Sequence, residues 1–310
     1  MSAAELAPVT LRDEQAPLEA TFLPGAGQLC CSLLHRGEEL LTQNAGVTAY
    51  VERGKTMGIP LLYPWANRLA GFDYTVAGRT VVVPHDPARV ALDDNGLPIH
   101  GVIGGRLQWE LLSEPTPGTQ SLTAALRWSE ESQPELFEVF PFRHDLRYEA
   151  RLAAGRLEIE VTVDACGEDS VPVAFGFHPY LSPPGVPRER WLVELPAMRR
   201  LALDERQIPT GPERTLPDET FELAQRGFDD GFDSVAQPAR FALTAAGRRV
   251  ELELLEGYPC AQVYAPPARQ LLCFEPMTAP ANALRSGAGL RLLEPGESYR
   301  ATFAVSVREL

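Results

Sequence analysis

Apolar and polar residues alternate with a period of two along most of the chain. The clearest case lies at residues 146–163. Leu146, Tyr148, Ala150 and Leu152 alternate with other positions before Gly155, and Leu157, Ile159, Val161 and Val163 alternate after it. Successive side chains of a strand point to opposite faces, so this pattern predicts a hairpin with one face buried. Residues 18–23 and 28–34 read the same way around a turn at Gly25-Ala26-Gly27, and 72–76 with 80–83 form a hairpin around Ala77-Gly78. Strands are expected at 108–112 and 121–128, separated by the loop Glu114-Pro115-Thr116-Pro117-Gly118. In the second half they are expected at 191–195, 241–243, 250–254, 261–264, 270–274 and 299–307. A helix is expected only at 219–226. Regularly spaced strands with Gly/Pro turns predict an all-β antiparallel sandwich or barrel with few short helices. No linker, repeat or low-complexity stretch divides the chain. The proline-rich excursion at 183–217 still contains a strand, so one domain over residues 1–310 is expected.

Composition narrows the function classes. The chain has 310 residues, 45% hydrophobic and 23% charged, as in an ordinary globular protein. Its formal net charge of -14 argues against nucleic acid and anionic membrane as partners. No apolar run approaches the roughly 20 residues needed to span a bilayer. The start, Met1-Ser2-Ala3-Ala4-Glu5, lacks the basic and apolar blocks of a signal peptide, so a cytoplasmic location is expected. Lys55 is the only lysine. Cys30, Cys31, Cys166, Cys260 and Cys273 form no CxxC spacing and are expected to be reduced, buried thiols without a disulfide framework or zinc site.

The candidate chemistry begins where the apolar run at 171–177 breaks at His178-Pro179-Tyr180. Val173, Phe175 and Phe177 alternate as in a half-buried strand, and Pro179 keeps His178 extended or in a turn. An imidazole at such a strand end is either a satisfied core histidine or one whose pKa is tuned for catalysis. Of the other histidines, His35 reads as a turn residue and His85 and His144 as surface residues. His100, in Asn95-Gly96-Leu97-Pro98-Ile99-His100-Gly101, sits in a glycine-flanked loop that a ligand can approach, or caps the backbone there. Asn67-Arg68 follows Tyr63-Pro64-Trp65-Ala66 and offers donors suited to an oxygen-rich ligand, or a structural salt bridge. Asp229, Asp230 and Asp233 form an acidic loop without EF-hand spacing, either a solvated turn or a ligand contact. Glu275 ends an apolar strand just before Pro276, and a carboxylate there is costly unless paired or functional. GxSxG, GxGxxG, P-loop and HExxH motifs are absent. His100, His178 and Asp229 lack metal-ligand spacing, and no metal is expected.

Taken in order, Asn67-Arg68, His100-Gly101, His178-Pro179-Tyr180, Phe228-Asp229, Gln262-Val263-Tyr264, and Glu275-Pro276 with Asn282-Ala283 resemble the aldose 1-epimerase (galactose mutarotase) family. The resemblance implies a large antiparallel β-sandwich, the galactose mutarotase supersandwich, in one domain. It implies an isomerase that interconverts the α and β anomers of a free hexose by opening and reclosing the ring, without a cofactor. In that scheme Glu275 is the general base at the anomeric hydroxyl and His178 the general acid at the ring oxygen. Arg68 and His100 bind and polarise sugar oxygens, Asp229 and Gln262 hold ring hydroxyls, and Asn67 is a further contact. Asp229 matches the family aspartate through the following Gly231-Phe232, with Asp230 and Asp233 as alternatives. The partner is then a small sugar, and the protein a monomer or homodimer. Three alternatives stand beside it: a hexose-6-phosphate 1-epimerase using Arg53, Lys55 and Arg89, a non-catalytic carbohydrate-binding protein, and a glycoside hydrolase using Asp229 and Glu275.

Overall fold

A computed structural model describes residues 7–113 and 119–310; the loop expected at 114–118 and the N-terminal residues 1–6 lie outside them. The alternating stretches form two large antiparallel sheets. In the nine-stranded sheet the order is Glu110–Leu111, Ser121–Trp128, His144–Ala153, Arg156–Asp164, Ser298–Glu309, Arg248–Glu256, Ala239–Ala245, Leu192–Leu195 and Glu219–Glu222. The eight-stranded sheet runs Pro209–Leu216, Met198–Leu203, Phe228–Asp233, Cys260–Ala265, Leu272–Met277, Gly176–Phe177 and Leu61–Leu62, and Tyr180–Leu181 also pairs with Leu272–Met277. A four-stranded sheet near the N-terminus comprises Val9–Arg12, Leu18–Leu23, Leu29–His35 and Glu38–Glu39.

The inner faces of the two large sheets meet through aromatic side chains. Phe177 packs on Phe303 with ring centroids 4.9 Å apart, and Phe274 on Phe241 at 5.3 Å. One hydrophobic cluster joins residues of both sheets. The fold is thus all-β, as the period-two pattern predicts. The hairpin at 146–163 is His144–Ala153 paired with Arg156–Asp164, its inward residues all buried.

Several local expectations are corrected. Residues 219–226 form no helix: Glu219–Glu222 is an edge strand paired with Leu192–Leu195, with Phe221 buried. Helix-favouring glutamates and leucine lose here to sheet pairing and to burial of one aromatic. The acidic stretch is no loop either. Phe228–Asp233 lies inside the eight-stranded sheet, where ladder hydrogen bonds on both sides override the poor strand preference of Asp and Gly. An unforeseen helix, Gly46–Arg53, buries Ala49 and Tyr50 and stops at Gly54, whose φ of 64° provides a left-handed cap. The run at 171–177 is fully buried rather than half-buried, and it is split into Val171–Val173 and Gly176–Phe177. All five cysteines are free thiols, but Cys166 is exposed and Cys31 only partly buried, against the expectation for them.

Two histidines are also corrected. His144 is fully buried rather than at the surface. Its Nδ1 lies 2.7 Å from the Phe142 carbonyl, and its Nε2 hydrogen-bonds the Tyr63 hydroxyl. His35 ends the strand Leu29–His35, buried, instead of standing in a turn. His85 is exposed as expected, stacked on Phe72.

Candidate active site

The site grows from alternation in two neighbouring strands. Phe177 and Phe274 point into the sandwich, so His178 and Glu275 point to the opposite face. Tyr180 pairs with Cys273, and Gly176 with Met277. Continuing that antiparallel register places His178 opposite Glu275, 97 positions away in sequence but side by side on one face. Their closest atoms, Nε2 and Oε1, are 3.2 Å apart. Glu275 is not at a strand end, as the proline suggested. Pro276 lies within Leu272–Met277, where the neighbouring strand pairing changes from Tyr180–Leu181 to Gly176–Phe177.

The next strand adds Gln262, whose backbone partner is Glu275. Its Nε2 donates to Asp229 Oδ1 at 2.7 Å. Gly231, opposite Gln262, leaves room for that amide: a Cβ there would lie 3.2 Å from Gln262 Oε1. Asp229 Oδ2 in turn lies 3.6 Å from a terminal nitrogen of Arg68, and Arg68 Nε donates to Asp93 at 2.7 Å. Of the three acids, only Asp229 connects to this group; Asp230 pairs with Arg200 and Asp233 with Arg199.

His100 enters from the strand Pro98–Val102, not from a loop. It has a φ of 63°, Asn67 one of 57°, and the two exchange contacts: His100 N–H donates to the Asn67 carbonyl at 2.9 Å, and Asn67 N–H donates to His100 Nδ1 at 3.3 Å. Nδ1 therefore accepts, which leaves the proton on Nε2. Gly101 is required beside it, since a Cβ would meet the Tyr63 carbonyl oxygen at 2.1 Å. Asn67 Oδ1 also accepts from the Arg68 backbone at 2.8 Å, so Asn67 braces both neighbours.

Burial sets the electrostatics. It pushes Glu275 well above the usual carboxylate value, with Asp229 adding in the same direction and Arg68 opposing it. It holds His178 well below the usual imidazole value, with His100 adding to the effect. His100 is lowered to about 3 by burial and by Arg68, and so is a neutral Nε2–H donor at ordinary pH. A cleft of about 740 Å³ is lined by His100, Arg68, Asp93 and Thr56, and also by Arg53 and Lys55. Arg89 takes no part in it and is tied to Asp86 and Glu138. Among the described residues no group of three or more His, Cys, Asp or Glu side chains is arranged to hold a metal ion.

A sequence model of the aldose 1-epimerase family matches residues 24–306. The chain belongs to that family. A relative is the uncharacterized protein YihR of Escherichia coli (strain K12), 28% identical over 252 residues, which are 79% of this chain and 77% of that protein. The fold matches solved structures over nearly all of its length. The Slr1438 protein of Synechocystis sp. PCC 6803 gives a TM-score of 0.75 at 24% identity, covering 98% of this chain and 96% of that one. A putative aldose 1-epimerase of Escherichia coli K12 gives 0.76 at 18%, covering 98% and 99%. Galactose 1-epimerase of Lactobacillus acidophilus NCFM gives 0.71 at 16%, also covering 98% and 99%.

Within this aldose 1-epimerase-family chain, the structure gathers Asn67, Arg68, His100, His178, Asp229, Gln262 and Glu275 into one connected group. Sequence reasoning missed Asp93, whose side chain is only 5% exposed against Arg68. Its signal was a carboxylate pair, Asp93-Asp94, just before the His100 stretch, which reads as a solvated turn.

Proposed function

We propose that this protein is an aldose 1-epimerase acting on a free hexose, with Glu275 as general base and His178 as general acid. The observation that supports it most is the placement of those two side chains opposite one another, ringed by donors and acceptors for sugar hydroxyls. In ring opening, the Glu275 carboxylate takes the proton of the anomeric hydroxyl. The freed electron pair forms the C1 carbonyl, the C1–ring-oxygen bond breaks, and the ring oxygen takes a proton from the His178 imidazolium. Rotation about C1–C2 and the reverse steps on the other carbonyl face give the other anomer. Each positioned acid or base contributes on the order of 10² to 10⁴ in rate.

The opposed shifts fit a couple that shares one proton. With Glu275 raised and His178 lowered, burial favours the neutral carboxyl group and the neutral imidazole. This is also the proton distribution after ring opening. Transfer across the 3.2 Å contact restores carboxylate and imidazolium without solvent. His100, as a neutral donor, and Arg68 bind sugar oxygens, Asp229 and Gln262 hold ring hydroxyls, and Asn67 fixes both His100 and Arg68.

The test is polarimetry on a panel of free aldoses and their 6-phosphates. Faster anomerisation of a free hexose is expected. A preference for the phosphorylated sugar would replace the substrate assignment with the hexose-6-phosphate reading, for which Arg53 and Lys55 on the cleft wall supply cations, although Glu52, Asp93 and Asp94 share that wall. Binding of sugars without anomerisation of any of them would favour the carbohydrate-binding reading.

A further inference from the structure

The site has a side that the polar cleft does not reach. Across the eight-stranded sheet one row of residues runs His178, Glu275, Gln262, Gly231, since Gln262 pairs with Glu275 and Gly231 with Gln262. Beyond Gln262 the row meets a notch of about 10 Å³, room for one water molecule or one methyl group. Gly231 lines it, with apolar walls that include Leu201, Leu203, Met277, Pro280 and Ala281. A side chain at position 231 would intrude on it, its Cβ 3.2 Å from Gln262 Oε1 and 3.7 Å from Leu201 Cδ1.

Two amides give this notch a polar edge. An ionised carboxylate only accepts, so the Gln262 atom 2.7 Å from Asp229 is Nε2, and Oε1 is left beside Gly231. Among the described residues Oε1 has no hydrogen-bond partner and is free to accept from a ligand. Gln207 supplies the other amide, from the turn between Met198–Leu203 and Pro209–Leu216, and its side chain makes no hydrogen bond to the described residues either. Its φ of 65° is one that a glutamine seldom adopts, and Asp204 holds the turn by accepting from the N–H groups of Arg206 and Ile208 at 2.8 and 2.9 Å. The opposite wall is fixed as well. Asn282, next to Ala281, donates its N–H to the Arg68 carbonyl at 2.8 Å, and its Oδ1 accepts from the Ala70 N–H at 2.9 Å.

We propose that the notch binds the methyl of an acetamido group, which makes the substrate class 2-acetamido-2-deoxyhexoses. The position on the sugar follows from the acid–base reading above, on which this inference rests: the ring oxygen faces His178 and O1 faces Glu275. C1 is bonded to both. Its remaining ring neighbour, C2, lies on the side away from the ring oxygen, toward Gln262. Neighbouring strands are about 4.8 Å apart, so Gln262 stands about 10 Å from His178 along the row, the reach of a pyranose with a substituent on C2. The acetamido N–H donates to Gln262 Oε1, its carbonyl accepts from Gln207 Nε2, and its methyl enters between Leu201, Met277 and Ala281. Asp229 keeps a ring hydroxyl. A plain 2-hydroxyl can satisfy Oε1 but leaves the apolar walls facing water, so the acyl form gains by covering them.

The test compares initial rates of anomerisation, by polarimetry or anomeric-proton exchange NMR, for N-acetylglucosamine and N-acetylgalactosamine, their parent hexoses, their 2-amino analogues and a 6-deoxyhexose. The better acetamido sugar is expected to exceed its parent hexose about 10-fold in kcat/KM, with the 2-amino sugar no better than the parent. Ala281→Val fills the notch and should cut kcat/KM for the acetamido sugar about 10-fold, while that for the parent hexose changes less than about 2-fold. Leu201→Ala enlarges it and should improve the 2-propionamido sugar relative to the acetamido sugar by about 5-fold. A higher kcat/KM for the parent hexose or the 6-deoxyhexose, or an unchanged acetamido-to-parent ratio in Ala281→Val, would overturn the proposal. Should Ala281→Val fail to fold, the propionamido-to-acetamido ratio in Leu201→Ala decides, and a native ratio there refutes the notch. Absence of anomerisation of every sugar would instead overturn the mutarotase reading. Saturation-transfer NMR then still reads the notch: the acetyl methyl is expected to be the most strongly saturated group of bound N-acetylglucosamine or N-acetylgalactosamine, and a methyl no more saturated than the ring protons would count against it.

Discussion

Glu275 is 2% exposed, and removing a carboxylate from water to that extent is unfavourable unless its charge is paired or its proton retained. The proposed couple does both in turn. Glu275→Gln and His178→Ala are each expected to lower kcat by at least about 10²-fold, since each removes one proton carrier, while circular dichroism stays native. Polarimetric activity near the native level in either variant would refute the assignment. Because Glu275 is raised and His178 lowered, the one-proton state of the couple covers a wide span of pH. The acid limb of the rate is expected below the ordinary histidine value of about 6.5 and the alkaline limb above the ordinary glutamate value of about 4.3. A bell centred on two ordinary values would contradict that coupling.

His144 gives a separate residue-level test, on stability. Burial lowers it to about 4. Unfolded, it takes a proton near pH 6.5, whereas folded it does not until about 4, so stability falls as pH falls through that window. The loss from this residue between pH 7.5 and 5 is about 2 kcal/mol. His144→Gln is expected to remove that share of the pH dependence, read from urea midpoints at the two pH values.

At the scale of elements, the site depends on how Gly176–Phe177 and Tyr180–Leu181 lie against Leu272–Met277. Gly176 lets the strands approach: a Cβ there would meet the Pro276 carbonyl oxygen at 2.5 Å and Ala66 Cβ at 2.9 Å. Gly176→Ala must therefore push backbone apart two residues from His178. The expected cost is about 1–3 kcal/mol, together with a fall in kcat larger than that of a distant variant of equal stability. Native kcat with lowered stability would show that the couple tolerates strand movement. The link from Asp93 to Arg68 works in the same way between the cleft wall and the sheet. Asp93→Asn keeps the shape but removes the charge, and should raise KM by about 10-fold with little change in kcat if Arg68 acts in sugar binding. The opposite split would assign Arg68 to the reacting centre.

Strand periodicity was readable wherever one face of a strand is wet. In Arg156–Asp164, buried and partly exposed positions alternate without a break, and the residue pattern shows the same alternation. It failed where packing overrides local preference. Phe228–Asp233 carries three aspartates and a glycine yet occupies the sheet interior, its acids matched by Arg68, Arg199 and Arg200 from other segments. The edge strand Glu219–Glu222 exists only because Leu192–Leu195 is there to pair with it. No local rule contains either partner.

For the whole molecule, one hydrophobic cluster spans both large sheets, from Val9 to Val307. We propose on that ground that the chain unfolds as one unit, and a single calorimetric transition is the expected result. Two resolved transitions would divide it. The family assignment and the all-β fold were both legible in the residues: the first from short motifs in a fixed order, the second from period-two alternation. His178, Glu275, Arg68 and His100 could be named from the same source. What tertiary structure alone decided is why they belong together. The antiparallel register sets His178 opposite Glu275, Asp93 fixes Arg68, and the Tyr180 ring stacks on the imidazole. Alternation encodes which face a side chain occupies, because that depends on the strand itself. Neighbours across a sheet depend on which strands pair and in what register, which depends on the packing of the whole chain.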